Sequence, residues 1–267
     1  MRYARIRTES GPQYAAIEDV NGTPHATHII EAPEEDLTTP TFTGRFTPRP
    51  LSECKLYPPV TPSKIICIGR NYREHAAEFG NEPPKEPLLF LKAPSALIAS
   101  GETIILPPQS HRVDYEAEIA IVIGRKCSQL TESEDVTPYI RGYIAVNDVT
   151  ARDLQKSDGQ WSRAKGFDTF CPVGPWVTDE INPSDGLTVT THVNGEEKQH
   201  GNTRDLIFDV PTLIRYISQA MTLYPGDLIP TGTPAGVSPI HHGDTVRVTV
   251  TGCDILENPV ISRIKSI

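Results

Sequence analysis

The segment Asp114-Tyr115-Glu116-Ala117-Glu118-Ile119-Ala120-Ile121-Val122-Ile123-Gly124 sets three carboxylates two residues apart and leads them into an apolar stretch. Side chains alternate between the faces of a strand, so Asp114, Glu116 and Glu118 fall on one face and Tyr115, Ala117 and Ile119 on the other. A run that is apolar on both faces marks a buried strand. Taking neighbouring carboxylates into such a place costs several kcal/mol per ion unless a positive charge compensates. A divalent cation would supply that charge. A solvated acidic strand end is the other reading that Glu-x-Glu spacing permits.

A second acidic cluster, Asn147-Asp148-Val149-Thr150-Ala151-Arg152-Asp153, comes after the strand candidate Gly142 to Val146 and puts Asp148 just past a strand end, where a third ligand could converge. Oxygen-only ligands point to Mg²⁺ or Mn²⁺ rather than Zn²⁺, with Ca²⁺ less suited to a small octahedral site. In Gly69-Arg70-Asn71-Tyr72-Arg73-Glu74-His75-Ala76-Ala77-Glu78 the chain leaves a buried strand for a short helix, and His75 and Glu78, three apart, share a helical face. A carboxylate that holds an imidazole fixes its tautomer and raises its basicity, as a water-activating base requires. The same spacing also describes a surface His-Glu pair. Lys165, within Trp161 to Pro175, and the loop Thr231-Gly232-Thr233-Pro234-Ala235-Gly236-Val237 look like substrate handles; the loop lacks the Lys-Ser/Thr ending of a P-loop.

These groups must be positioned by short strands. The chain has 267 residues with 25 Pro and 19 Gly, which implies many turns and few long helices. Residues 1–60 read as a small β-rich unit (Tyr3 to Arg7, Tyr14 to Ile17) with polar, proline-rich linker segments at Glu31 to Pro40 and Thr47 to Pro50. Residues 61–267 read as the catalytic part, with strands at Lys64 to Ile68, Ile119 to Ile123, Gly142 to Val146, Leu187 to Val193, Asp227 to Ile229 and Thr245 to Val250, and a hairpin turn at Asn194-Gly195. One amphipathic helix is predicted from Asp209 as N-cap through Val210, Leu213, Ile214, Ile217 and Met221 to near Gly226, and a shorter one over Arg73 to Phe79. The expected class is α+β, dominated by β.

Charge and composition exclude other functions. Asp plus Glu number 34 against 25 Lys plus Arg, and the net charge of −9 argues against a nucleic-acid binder. No apolar run approaches the ~18 residues of a membrane span, and Met1 to Gln13 has no signal-peptide core. Five cysteines without Cys-x-x-Cys spacing disfavour disulfides and a zinc-thiolate site. A cytoplasmic location is the default reading; Arg2, Arg5 and Arg7 keep a mitochondrial one open.

Taken in order, the Gly69 to Tyr72 motif with His75 and Glu78, Phe90-Leu91-Lys92, Asp114 to Glu118, Asn147 to Asp153, Ala164-Lys165-Gly166-Phe167-Asp168 and Thr231 to Val237 resemble the fumarylacetoacetate hydrolase family across residues 62–262. Within it the chain is most similar to the compact acylpyruvase and oxaloacetate decarboxylase type. The resemblance implies a mixed β-roll, a homodimer, and Mg²⁺ or Mn²⁺ at the bottom of the cleft. It implies Glu116, Glu118 and Asp148 as metal ligands, His75 and Glu78 as the catalytic dyad, Lys165 as the cation beside the substrate's oxo group, and Arg152, Gln155 and Thr233 as substrate-binding positions. One departure matters. Fumarylacetoacetate hydrolases proper carry a further aspartate ligand just upstream of the catalytic histidine, and Lys64 to Tyr72 contains no acid. Water in that coordination position favours a short, anionic 2-oxo acid.

The activity so implied is metal-dependent hydrolysis of the C3–C4 bond of a 2,4-dioxo acid of acylpyruvate type, with the metal as Lewis acid toward the enolate. The same electron sink serves oxaloacetate decarboxylation or tautomerisation, and a 2-hydroxyhepta-2,4-diene-1,7-dioate isomerase is a further alternative. Outside enzymes, a silent scaffold would have lost a ligand or the dyad, and all are present. A metal-dependent sensor of oxo acids is separated from an enzyme by steady-state assay.

Overall fold

The computed structural model describes residues 1–32, 46–78, 80 and 82–263. The amino-terminal part contains β1 (Arg2–Thr8), β2 (Gly11–Val20), β3 (Thr23–Ile30), β4 (Arg49–Pro50) and β5 (Leu56–Tyr57). Most of the predicted Glu31 to Pro40 linker lies outside the described residues. Alternation in β1 to β3 sends Ala4, Ile6, Ala15, Ile17, Ala26 and Ile29 into a small core that also takes in Leu51 and Trp176. Sheet pairing joins this unit to the rest of the chain. β1 pairs with a strand far along the sequence, Arg2 opposite Thr178 and Tyr3 opposite Val177.

The middle of the chain forms β6 (Ile65–Gly69), α1 (Arg73–Glu78), β7 (Leu88–Lys92), β8 (Leu97–Ala99), β9 (Ile104–Leu106), β10 (Val113–Asp114), β11 (Ala117–Ile123), β12 (Ile140–Asn147), β13 (Thr150–Ala151), α2 (Arg152–Asp158), α3 (Ser162–Lys165) and β14 (Cys171–Thr178). The remainder is β15 (Thr188–Val193), β16 (Glu196–Asn202), α4 (Val210–Ala220), β17 (Leu228–Pro230), β18 (Thr245–Val250) and β19 (Ile255–Ser262). One large sheet runs β4-β3-β2-β1-β14-β12-β11-β17-β6-β7, with β5 beside β1 and β8 beside β14; a second runs β16-β15-β18-β19-β9. Both are mixed, because β14 with β8, β17 with β6 and β19 with β9 are parallel pairs. The class is α+β and strand-dominated, as expected.

β11 is buried on both faces. Ile119, Ile121 and Ile123 pack with Leu213, Ile214 and Ile217 of α4 and with Val189 and Val248 of the second sheet. Ala120 and Val122 face the other core beside Ile144, Val146 and Val173. Asp209 caps α4, its side chain accepting from Thr212 N–H at 2.9 Å. The helix stops at Ala220, short of the predicted Gly226, and Met221 is extended. Buried Asp227 accepts backbone N–H groups from Tyr224, Ser63 and Lys64, which ties the turn to the start of β6. Asn194 (φ 53°) and Gly195 (φ 84°) make the predicted hairpin turn between β15 and β16.

β14 is a strand that local preference does not predict, because Pro172 and Pro175 argue against a central strand. The structure accommodates them where the β12 pairing is irregular: Ala145 opposes Gly174 and Tyr143 opposes Thr178. The helix predicted over Arg73 to Phe79 is α1; Phe79 lies outside the described residues. All five cysteines are free thiols. Among the described residues no helix is long and apolar enough to cross a membrane.

Candidate active site

The β11–β12 ladder brings two distant acidic motifs together. Ala117 opposes Asn147 in that ladder, and one step beyond it Asp148 N–H donates to Glu116 O at 2.8 Å. Carboxylate oxygens of Glu116, Glu118 and Asp148 all lie within 4.8 Å of one another, and all three residues are buried. Asn147 steadies the arrangement, its Oδ1 accepting from Glu116 N–H at 2.9 Å. Asp114, expected to share their face, is instead drawn into the short β10–β13 pair and takes Arg112 Nε at 2.9 Å and Arg152 Nε at 2.8 Å.

Three cations meet the triad. Lys165 Nζ donates to Glu116 Oε2 at 2.8 Å and Asp148 Oδ2 at 2.5 Å, Lys92 Nζ donates to Asp148 Oδ1 at 2.6 Å, and Arg152 donates to Glu116 Oε1 at 2.5 Å. Burial would lower the Lys165 ammonium, yet Asp148 and Glu116 outweigh it and hold the group charged. Burial would likewise raise Glu116, and Lys165 and Arg152 instead hold it far below the usual carboxylate range. Glu118 differs. It accepts the Gly232 N–H at 2.7 Å, and no ammonium or guanidinium pairs with it among the described residues. Burial first, then Asp148 and Glu116, push its carboxyl well above the ordinary value. A buried carboxylate without its own cation, in an all-oxygen set, fits a hard divalent ion such as Mg²⁺ or Mn²⁺.

The loop Gly69 to Tyr72 and helix α1 carry the next group. His75 is 7% exposed, with Nδ1 at 3.1 Å from Glu78 Oε2, while Glu78 Oε1 accepts Gly236 N–H at 2.7 Å. A solvated surface pair would have neither that burial nor that anchor. Asn71 holds the entry to the helix: its Nδ2 donates to Thr231 O at 2.8 Å and Phe208 O at 3.1 Å, and its Oδ1 accepts Phe208 N–H at 2.8 Å. Gly232 makes the approach of this loop to the 231–237 loop feasible, since a Cβ there would meet Asn71 Cβ at 2.8 Å and its φ is +107°.

One cavity of about 470 Å³ gathers the site. Its wall includes every sequence-predicted site residue, His75, Glu116, Glu118, Asp148, Arg152, Gln155, Lys165 and Thr233, except Glu78, which stands behind His75. Gln155 accepts from Arg152 at 2.8 Å, and Thr233 Oγ1 accepts from Gln199 Nε2 at 2.8 Å. Lys165 is placed by α3, a single turn closed by Lys165 N–H to Trp161 O at 2.9 Å.

Three residues of the site have roles that sequence reasoning misses. Lys92 stands at the end of the apolar strand Leu88–Lys92, an odd place for a lysine and a readable sign. Gln199, which also accepts Ala117 N–H at 3.0 Å, sits in the polar run Glu196–Asn202 where nothing distinguishes it. Asn147 precedes Asp148 in its motif, and only the strand pairing reveals it as the acceptor for Glu116 N–H.

Comparison with known proteins agrees with the geometry. The family model described as Fumarylacetoacetate (FAA) hydrolase C-terminal matches residues 64–261, and one described as Rv2993c-like, N-terminal matches residues 1–59. Protein Rv2993c of Mycobacterium tuberculosis is 47% identical over 265 residues, covering 98% of this chain and 99% of that one. The mitochondrial oxaloacetate tautomerase Fahd2a of Rattus norvegicus is 40% identical over 223 residues, covering 79% of this chain and 71% of that one. A crystal structure described as 2-hydroxyhepta-2,4-diene-1,7-dioate isomerase from Mycobacterium marinum superposes with a TM-score of 0.88 at 45% identity, covering 99% of this chain and 100% of that one. With the ordered motifs, the strand-dominated fold and a family model spanning residues 64–261, the chain belongs to the fumarylacetoacetate hydrolase family.

Proposed function

We propose that this family enzyme is a metal-dependent hydrolase of acylpyruvate-type 2,4-dioxo acids, with Glu116, Glu118 and Asp148 as the ligands of Mg²⁺ or Mn²⁺. Those three carboxylates would hold the cation, which would supply Lewis acidity at the 2-oxo acid end of the substrate. His75, its tautomer set by Glu78, takes a proton from water as the water oxygen attacks C4. The C3–C4 bond then breaks with its electron pair passing to the pyruvate enolate, and a proton returns to C3 to give pyruvate and a carboxylic acid. Lys165 stabilises the developing negative charge, and Arg152, Gln155 and Thr233 orient the substrate. In this reading residues 1–60 are a small β-rich unit and 61–267 the catalytic part, the enzyme is a cytoplasmic homodimer, and its ligand is a small anionic oxo acid rather than a nucleic acid.

The observation that carries the proposal is the buried His75 beside an anchored Glu78, in the cavity of the acidic triad. Decarboxylation needs the cations but no water-activating base, whereas tautomerisation moves a proton without activating water. The second reading, oxaloacetate tautomerase or decarboxylase, or dienedioate isomerase, is favoured by what the rat relative and the Mycobacterium marinum neighbour are described as doing. A product assay decides. Acetylpyruvate, longer acylpyruvates and oxaloacetate are each incubated with the chain, with Mg²⁺ or with chelator. Pyruvate and a carboxylic acid in equal amounts, formed only with metal, are expected. Turnover of oxaloacetate alone would put the second reading in place of the first, and full activity without metal would reject the metal centre.

A further inference from the structure

Gln199 is 1% exposed and reaches from β16 to two parts of the active site at once. Its Oε1 accepts Ala117 N–H at 3.0 Å and the Thr191 hydroxyl at 2.7 Å. Its Nε2 donates to Thr233 Oγ1 at 2.8 Å and to Pro234 O at 2.8 Å. Both amide hydrogens and both lone pairs of the amide oxygen are therefore used. The amide has one orientation only. A backbone N–H can only donate, so Ala117 faces the oxygen, and a backbone carbonyl can only accept, so Pro234 faces the nitrogen.

That orientation decides the polarity of Thr233. Its oxygen receives a hydrogen from Gln199, so its own O–H points elsewhere. Thr233 is 2% exposed and lines the cavity, and its hydroxyl meets no acceptor among the described residues. The place is the metal end of the cavity: the neighbouring Gly232 N–H donates to Glu118 at 2.7 Å, and Ala117 stands between Glu116 and Glu118. β16 holds this loop closely. A Cβ on Gly201 would meet Pro234 Cβ at 2.4 Å, and one on Gly236 would meet Gln199 Cγ at 3.3 Å. A buried O–H aimed into such a cavity recognises an acceptor oxygen, and a negatively charged one most strongly.

We propose that Gln199 is a positioning residue that fixes Thr233 as a hydrogen-bond donor to an anionic oxygen at the 2-oxo acid end of the substrate. This rests on the reading of the triad as the site of that end. It adds the direction of the Thr233 hydrogen bond and the residue that sets it.

Equilibrium binding of oxalate, a planar dianion with the shape of a pyruvate enolate, to the Mn²⁺-loaded chain tests it. Gln199→Glu keeps an oxygen toward Ala117 and Thr191 but sets an acceptor against Thr233, so the hydroxyl turns away from the ligand. A hydrogen bond to a charged group is worth roughly 10–100-fold in affinity, and a loss in that range is expected. Thr233→Val is expected to lose as much, and Thr233→Ser, which keeps the O–H, to recover most of it. In the Thr233→Val background, where the donor is already gone, Gln199→Glu is expected to cost less than about threefold more. Gln199→Met strips all four hydrogen bonds yet leaves the Thr233 hydroxyl free to turn, so its loss is expected to be smaller than that of Gln199→Glu. An amide with a merely structural role gives the opposite order. Losses that multiply in the double variant, Gln199→Met weaker than Gln199→Glu, or a wild type that binds no oxalate overturn the proposal. Thr233→Val binding oxalate as the wild type does overturns it without any change at Gln199. Turnover does not enter the readout. Coupled losses in a chain that cleaves no acylpyruvate sustain this proposal and overturn the hydrolase reading, while an acylpyruvase in which the losses multiply does the reverse.

Discussion

Glu78 accepts the backbone N–H of Gly236 at 2.7 Å, joining helix α1 to a loop 158 residues further along the chain. Its other oxygen faces His75, so the orientation of the imidazole depends on where the 231–237 loop sits. Gly236 is suited to the contact: its φ is +102°, and a Cβ would lie 2.3 Å from Lys198 O.

That contact makes a pH-dependent contribution to stability. Burial would raise the Glu78 carboxyl, but the hydrogen bonds from His75 and Gly236 outweigh it and hold the group below its ordinary value. A folded-state value below the unfolded one, about 4.3, gives stability that is present above that value and lost as pH falls through the folded one. The difference in urea midpoint between wild type and Glu78→Gln is therefore expected to be largest near neutrality and to shrink on acidification below about pH 4. A difference that grows in acid would contradict the assignment.

His75→Ala separates the chemistries. Removing a general base costs roughly 10²–10⁴-fold, and a loss in that range is expected for acylpyruvate cleavage. A smaller loss is expected for oxaloacetate decarboxylation, which needs no activated water. Steady-state rates on both substrates check this, and acylpyruvate cleavage that survives intact would leave His75 and Glu78 as a structural pair.

Lys165→Ala is expected to slow both reactions, because each passes negative charge to the same enolate oxygen. A selective effect on one substrate in the same assays would mean that Lys165 binds a feature peculiar to that substrate.

Lys92 pairs with Asp148 where neither side chain has appreciable exposure. Breaking a buried pair from one side typically costs about 3–5 kcal/mol. Since Lys165 still faces the other Asp148 oxygen, Lys92→Met is expected near the lower end, as measured by chemical denaturation of the metal-free chain. A loss under about 1 kcal/mol would show that Lys165 alone balances Asp148.

Asn71→Ala removes three hydrogen bonds that tie the Gly69 to Tyr72 loop to Phe208 and Thr231. The buried groups left behind make a loss of about 3 kcal/mol the expectation, visible as a lowered Tm. Turnover should fall further than stability explains, because both the start of α1 and the Thr233 loop lose their common anchor.

Much of this molecule is legible along the chain, because some constraints are local. Alternation and unbroken apolarity identify β11, the Asp209 cap and its periodic apolar face identify α4, and Asn194-Gly195 identifies its turn. Glu-x-Glu running into β11 announces buried charge, and the order of motifs announces the family. Strand β14 is hidden because its prolines contradict local preference, and only the irregular pairing with β12 accommodates them.

What the tertiary structure alone decided is which charges meet. The alternating spacing does not distinguish Asp114 from Glu116, yet the chain passes from the β10–β13 pair to β11 between them, so that Asp114 turns to Arg112 and Arg152 while Glu116 joins the triad and shares Arg152. The same holds for Lys92, Gln199 and Gly236, whose partners lie 56, 34 and 158 residues away. Electrostatic and hydrogen-bond energies depend on separation in space, and separation in space across the site is set by sheet register and loop packing. Sequence spacing controls that distance only within a strand or a helical turn, so residue types and local elements were readable, and the pairing that turns them into a site was not.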